Sequence, residues 1–195
     1  MKMIERDTIH RRGQALEDQY FQRVDQELLR KLREKDERDE RLAELTKATG
    51  VRDERVATHL VEAGINASNI AAMTLTPLVF VAWASGSVTP EERKSVMSAA
   101  LRRGVSSNPL AFRLLEQWLQ ARPPRDMWGL WKEYAAGVHH TLPAETANKL
   151  RQRLLEQAKE VAMASGGVLG VGKVCPAEQR VLDEIESTLP ARTDG

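Results

Sequence analysis

Apolar side chains recur every three or four residues along most of the chain, the spacing that places them on one face of an α-helix. The pattern predicts helices over eight ranges, namely residues 14–48, 52–63, 69–84, 90–103, 109–121, 125–140, 144–164 and 177–188. Residues 78–81 could also form a buried strand, but no second convincing strand accompanies them. We therefore predict an all-α helical bundle.

Signals for helix ends support this division. A glycine followed by a β-branched apolar residue comes after a helical stretch three times, at Gly50-Val51, Gly64-Ile65 and Gly104-Val105. In such a pair the glycine adopts the left-handed conformation that ends a helix, and the next side chain folds back onto the last turn. Thr89, Pro90 and Glu92 have the spacing of a capping box with proline at the first helical position, and Asn108 before Pro109 predicts another start.

The N-terminal part differs in composition from the rest. Residues 1–47 contain 12 basic and 12 acidic side chains. A narrow apolar stripe runs along this part, comprising Leu16, Tyr20, Phe21, Val24, Leu28 and Leu32. The stripe stops before residues 33–41. We predict a charged helical arm over residues 1–48 and a helical domain over 49–195, with the arm serving as a lid, a ligand for a partner groove or a homodimer seam.

An internal repeat links two parts of the predicted domain. Residues 81–86, Val-Ala-Trp-Ala-Ser-Gly, match residues 161–166, Val-Ala-Met-Ala-Ser-Gly, at five of six positions. Farther along, residues 88–92 correspond to residues 174–178. The loop before the second of these segments is six residues longer than the loop before the first. The repeat predicts two similar helix-loop-helix corners related by a pseudo-twofold axis.

At these residues the sequence resembles the TerB-like tellurite-resistance family. The resemblance covers about residues 70–189, and it is carried by the run 75–93, Leu-Thr-Pro-Leu-Val-Phe-Val-Ala-Trp-Ala-Ser-Gly-Ser-Val-Thr-Pro-Glu-Glu-Arg, and by the second corner at 165–180. It implies an all-helical, cytoplasmic protein linked to tellurite and stress resistance that binds a divalent cation through acidic residues at two loops. Where the family has Asp-Gly, this chain has Ser85-Gly86 and Ser165-Gly166, so the aspartate oxygen ligand expected from the resemblance is missing at both corners.

The two corners contain oxygen ligands of the type that Ca²⁺ or another hard divalent cation prefers. The candidate metal ligands are Ser85, Glu91, Glu92, Ser165 and Glu178, together with main-chain carbonyls of the glycine loops. Glu92 and Glu178 also have a purely structural explanation. Glu92 is the third residue of a predicted helix, and Glu178 has the equivalent position after Pro176, where a glutamate completes a capping box.

Composition narrows the classes of partner. The formal net charge is +1 and the chain has nine aromatic residues, so neither bulk charge nor base stacking favours nucleic acid. The longest apolar run, residues 70–84, is shorter than the roughly 20 residues of a membrane span, and the first 30 residues lack the apolar stretch of a signal peptide. With Cys175 the sole cysteine, we expect a cytoplasmic protein.

Other motifs give weaker predictions. Residues 167–173 have the spacing of a phosphate-binding loop, but Val174 stands where a Ser or Thr would hold Mg²⁺. Cys175 is predicted at a helix N-cap, where a thiol can become reactive. His139 and His140 are adjacent and point about 100° apart on a helix, so they cannot share one ion. An aromatic cluster, which predicts core packing or a partner surface, comprises Trp118, Trp128, Trp131 and Tyr134.

From these observations we expect a non-enzymatic, TerB-like binding or scaffold protein of the stress response, with a protein partner and a divalent cation at its paired acidic loops. The first alternative is a metal-free protein-interaction adaptor that acts through the N-terminal helix and the tryptophan face. The second is an enzyme that uses the glycine loop and Lys173.

Overall fold

The computed structural model describes the backbone of residues 2–51, 53–164 and 174–193, and the side chains of these ranges from residue 23 onwards. The α-helices are α1 (Lys2–Thr49), α2 (Glu54–Glu62), α3 (Thr76–Ala82), α4 (Pro90–Arg102), α5 (Pro109–Gln120), α6 (Asp126–Thr141), α7 (Ala144–Ala164) and α8 (Pro176–Thr188). Short 3-10 helices occupy Ile70–Leu75 and Val105–Ser107. The described residues contain no strand, which confirms the all-α prediction.

Helix α1 begins much earlier than predicted, at Lys2 rather than at residue 14. Residues 2–13 lack the apolar stripe from which the start was inferred, but a helix needs no stripe where charged, straight-chain residues favour it. The chain forms two compact units, residues 1–41 and 42–195. In the first, pairs one turn apart stabilise the helix, such as Arg30 with Glu27 (2.6 Å) and Glu34 (2.8 Å).

The second unit is built around α3, the most apolar helix of the chain. Leu78, Val79, Val81 and Ala82 are all fully buried, because α3 packs against α5, α6, α7 and α8. The strand alternative for residues 78–81 is therefore wrong. A helix buried on all sides needs apolar residues on every face, which removes the helical periodicity from its sequence.

The predicted helix over residues 69–84 is split into a 3-10 helix and α3. Pro77 lies in the first turn of α3. Proline has no N–H to donate and its ring clashes with the preceding turn, so an α-helix can start at Pro77 but cannot run through it. The 3-10 helix carries the chain into this start, and its Ala72, Met73 and Leu75 belong to the core.

The predicted glycine stops are confirmed. Gly50, Gly64 and Gly104 have φ angles of 70°, 78° and 71°, a region of backbone conformation that residues other than glycine rarely adopt. The residues that follow them are Val51, Ile65 and Val105, which are 2%, 2% and 4% exposed. Each glycine thus turns the chain so that the next side chain enters the core.

The two repeated corners are α3 to α4 and α7 to α8. Helix α3 packs on both α7 and α8, and α4 packs on α7. A twofold axis that exchanges α3 with α7 and α4 with α8 converts the contact of α3 with α8 into that of α7 with α4. Both contacts are present, as a pseudo-twofold relation between the two corners requires. Among the described residues, none of the helices combines the length and the apolar character needed to cross a membrane.

Candidate functional site

The first corner ends in a complete capping box at the start of α4. Thr89 Oγ1 accepts a hydrogen bond from the backbone N–H of Glu92 at 3.2 Å, and Glu92 Oε2 accepts one from the backbone N–H of Thr89 at 2.7 Å. The Thr89 hydroxyl also donates to Glu92 Oε2 at 2.8 Å. The sequence prediction is confirmed, and the box fixes Glu92 over the first turn of α4.

The second corner has the same box with a thiol in place of the hydroxyl. Cys175 Sγ accepts from the backbone N–H of Glu178 at 3.4 Å, and Glu178 Oε2 accepts from the backbone N–H of Cys175 at 2.6 Å. Cys175 is thus the N-cap of α8, as predicted. Capping therefore accounts for one oxygen of each glutamate.

The second oxygen of Glu92 distinguishes this site from an ordinary cap. Glu92 is fully buried, Glu178 is 1% exposed, and Glu92 Oε1 has no hydrogen-bond partner among the described residues. Burial raises the pKa of Glu92, the hydrogen bonds from Thr89 oppose this rise, and the negative charges of Glu178 and Glu91 add to it. The structure therefore brings the capping glutamates of the two corners within electrostatic range of each other.

The other predicted ligands have separate positions. Ser85 is exposed and its hydroxyl donates to the carbonyl oxygen of Ser87 at 3.1 Å. Glu91 is exposed in the first turn of α4. Ser165 and the predicted glycine loop at 167–173, including Lys173, lie outside the described residues. In the part of the chain that the structure describes, no three Asp, Glu, His or Cys side chains are grouped as metal ligands.

This arrangement restricts the chemistry of the glutamate pair. Two buried carboxylates within electrostatic range destabilise each other when both are charged, unless another group compensates their charge. A proton on one carboxyl group and a bound cation are two forms that such compensation can take. The donors of Glu92 and Glu178 are all oxygens, the ligand type that suits Ca²⁺ and Mg²⁺.

The predicted aromatic cluster lies largely in the core. Trp131 and Trp118 are 1% and 6% exposed, and Trp128 stacks on Trp131 with 4.8 Å between ring centroids. The half-buried Trp128 donates from Nε1 to Glu184 Oε2 at 2.6 Å, which joins α6 to α8. These rings pack helices together, so they offer little of the partner surface that the adaptor alternative required.

Sequence reasoning missed a buried histidine. His139 is 1% exposed, and within the part of the chain that the structure describes neither ring nitrogen has a hydrogen-bond partner. Burial lowers the pKa of His139, and the charges of Arg192, His140 and Arg151 lower it further. A signal was present in the sequence, because Trp131 and His139 are eight residues apart and therefore lie on the same face of α6.

It also missed a contact between α2 and α6, where His59 Nδ1 lies 3.1 Å from Glu133 Oε2. No local pattern indicates this pair, because 74 residues separate its members. His10, the remaining histidine, has a side chain outside the described ranges.

No family model, curated protein or solved structure matches this chain. The resemblance to the TerB-like family therefore depends on the residues of the two corners, 75–93 and 165–180. What that resemblance implies about function enters below as a proposal.

Proposed function

We propose that this chain is a non-enzymatic, TerB-like stress-response protein of the tellurite-resistance type, a cytoplasmic binding and scaffold protein whose paired corners bind a divalent cation. Ca²⁺ is the first candidate. The observation that supports the proposal best is the unpartnered Oε1 atom of the fully buried Glu92, within electrostatic range of the buried Glu178.

A cation would resolve the electrostatic conflict of this pair. Hard cations take six to eight oxygen ligands, several of them carboxylate. Glu92 and Glu178 would supply the negative charge, and main-chain carbonyls and water would complete the set. A bound ion stabilises the folded state increasingly as its concentration exceeds Kd, so binding is measurable as a rise in melting temperature.

The test is a titration of the full-length chain with CaCl₂, MgCl₂ and MnCl₂, followed by calorimetry and thermal melting. The matched variant is Glu92→Gln with Glu178→Gln, because glutamine also completes a capping box and removes only the charge. Glu116→Gln on α5, an exposed carboxylate away from the corners, is the control.

We expect the double variant to bind the preferred cation at least tenfold more weakly, and Glu116→Gln to bind as the wild type does. Absence of heat and of any melting shift in the wild type at millimolar concentrations would reject the cation. Equal affinity in the double variant would reject this pair as its ligands.

A metal-free adaptor that acts through α1 is the second candidate, supported by apolar side chains on the first unit. Val24, Leu28, Leu29 and Leu32 are 44–54% exposed. Exposed apolar residues at helical spacing are typical of a helix that associates with another. We assign a second copy as the occupant, because the equal numbers of acidic and basic residues in 1–47 leave the arm without net charge, so that two arms do not repel each other.

Sedimentation equilibrium over a range of concentrations tests this candidate. Leu28→Glu with Leu32→Glu should turn a dimer into a monomer, whereas Leu101→Glu, at an exposed leucine of α4, should leave it intact. A wild-type chain that remains monomeric from micromolar to millimolar concentration would remove the homodimer.

A further inference from the structure

A groove separates α2 from α6 in the second unit, away from the glutamate pair. It consists of two adjoining cavities of about 440 and 400 Å³, which share His59 and Glu133 in their walls. Its apolar lining includes Leu130 and Val56, each 8% exposed. The groove therefore offers an apolar floor between two helices.

The face of α6 that lines this groove contains two glycines. Glu133, Ala136 and Gly137 follow Gly129 by four, seven and eight residues, which places all four within an arc of about 100° on one side of the helix. Glycine is unfavourable inside a helix. A Cβ atom added at Gly129 or Gly137 meets no described residue within 4 Å, so packing among these residues requires glycine at neither position. Glycine at such a place lets another backbone approach closely.

The walls of the groove are acidic. Four carboxylates line the two cavities, those of Asp53, Glu62, Asp126 and Glu133. The basic groups among the described lining residues are the guanidinium of Arg55, 3.6 Å from Asp53, and the imidazole of His59, 3.1 Å from Glu133. An excess of negative charge around an apolar floor favours an occupant with positive charge at its edges.

We propose that this groove binds an amphipathic helix of a partner protein, with small or apolar residues on the docked face and Lys or Arg beside it. From Gly129 to Gly137 the face spans eight residues, about 12 Å, or roughly two turns of a docked helix. The partner's backbone passes over the two glycines, and its cations pair with Asp126 and Glu133. This inference does not depend on cation binding at the corners.

The experiment uses the full-length chain and a designed probe, a fluorescein-labelled, amidated 18-residue helical peptide of Lys, Leu and Ala. A second peptide with Glu in place of Lys is the charge-reversed control. Binding is followed by fluorescence anisotropy at 50 and 500 mM NaCl. We expect the Lys peptide to bind at least tenfold more tightly than the Glu peptide, and the higher salt to weaken it at least fivefold.

Two kinds of variant localise the binding. Gly129→Leu with Gly137→Leu fills the groove, and Asp126→Asn with Glu133→Gln removes charge from its walls. Each pair should weaken the Lys peptide at least tenfold. Controls on exposed positions elsewhere are Thr146→Leu on α7 and Glu116→Gln on α5, which should not change the affinity.

Melting curves show whether the leucine variant folds, and the charge variant tests the site even if it does not. The proposal is overturned if both peptides bind equally, if binding survives the groove variants, or if the controls weaken it as much. It is also overturned if the wild type self-associates and the leucine variant abolishes that association, since the occupant would then be a second copy.

Discussion

The two corners of the second unit show one backbone design with two different caps. Thr89 has φ and ψ of −74° and 159°, and Cys175 has −75° and 159°. Both precede a proline, and both are followed three residues later by a buried glutamate. The hydroxyl accepts its N–H at 3.2 Å and also donates to the glutamate, whereas the thiol accepts at 3.4 Å. Proline and glutamate are common to both corners and give the same backbone conformation. The N-cap atom, oxygen or sulfur, determines how strongly the cap is hydrogen-bonded.

The largest effect that we expect is a difference in the free energy of unfolding between variants that remove the two caps. Thr89→Ala should lower the free energy of unfolding by about 2 kcal/mol, the upper range for loss of an N-cap, because the threonine bonds Glu92 twice. Cys175→Ala should cost about 0.5 kcal/mol or less, since sulfur is a weak acceptor. Urea denaturation measures both. Equal losses would show that the cap atom contributes nothing to the difference between the corners.

The next effect concerns pH and the charge of Glu92. Its pKa is raised above the ordinary value of 4.5, so the folded state binds a proton more tightly than the unfolded state does. The stability that this proton contributes is complete below pH 4.5 and is lost as pH rises through the folded pKa. In EDTA, the wild type should therefore lose stability relative to Glu92→Gln as the pH increases from about 4 to about 7.

Chemical denaturation of both proteins at each pH measures this difference. Glu91→Gln, an exposed carboxylate of the same turn, is the control and should follow the wild type closely. A constant difference between the wild type and Glu92→Gln across the range would contradict the raised pKa.

The smallest expected effect is a gain. Cys175→Ser should raise the free energy of unfolding by about 0.5 kcal/mol, because a hydroxyl caps a helix better than a thiol does. The reciprocal change, Thr89→Cys, should cost a similar amount or slightly more. If the serine variant is less stable than the wild type, packing of the sulfur outweighs its capping.

The sequence was most informative where structure is local. The caps at Thr89 and Asn108 and the stops at Gly50, Gly64 and Gly104 depend on a few adjacent residues, and all are confirmed. The internal repeat also allowed one non-local feature to be predicted, the pairing of the two corners, because similar segments tend to pack in similar ways. The break before Pro77 was also readable in principle, from the rule that a helix does not run through proline.

The rest depends on contacts that no local pattern specifies. His59 and Glu133 are 74 residues apart, and Trp128 and Glu184 are 56 apart. Both pairs form because α6 packs near α2 and α8, which is decided by the whole core. The start of α1 at Lys2 was missed for a different reason, since residues 2–13 lack the apolar stripe from which the start was inferred.

The thiol cap has a practical consequence. Cys175 is the chain's sole cysteine, and its sulfur is engaged by the N–H of Glu178 while α8 is intact. Because Cys175 is half-buried, the rate at which an alkylating reagent modifies it depends both on the thiol's surroundings at the N-cap and on how often the start of α8 opens. Comparing the alkylation rate of Cys175 with and without Ca²⁺ would show whether the ion changes the second corner.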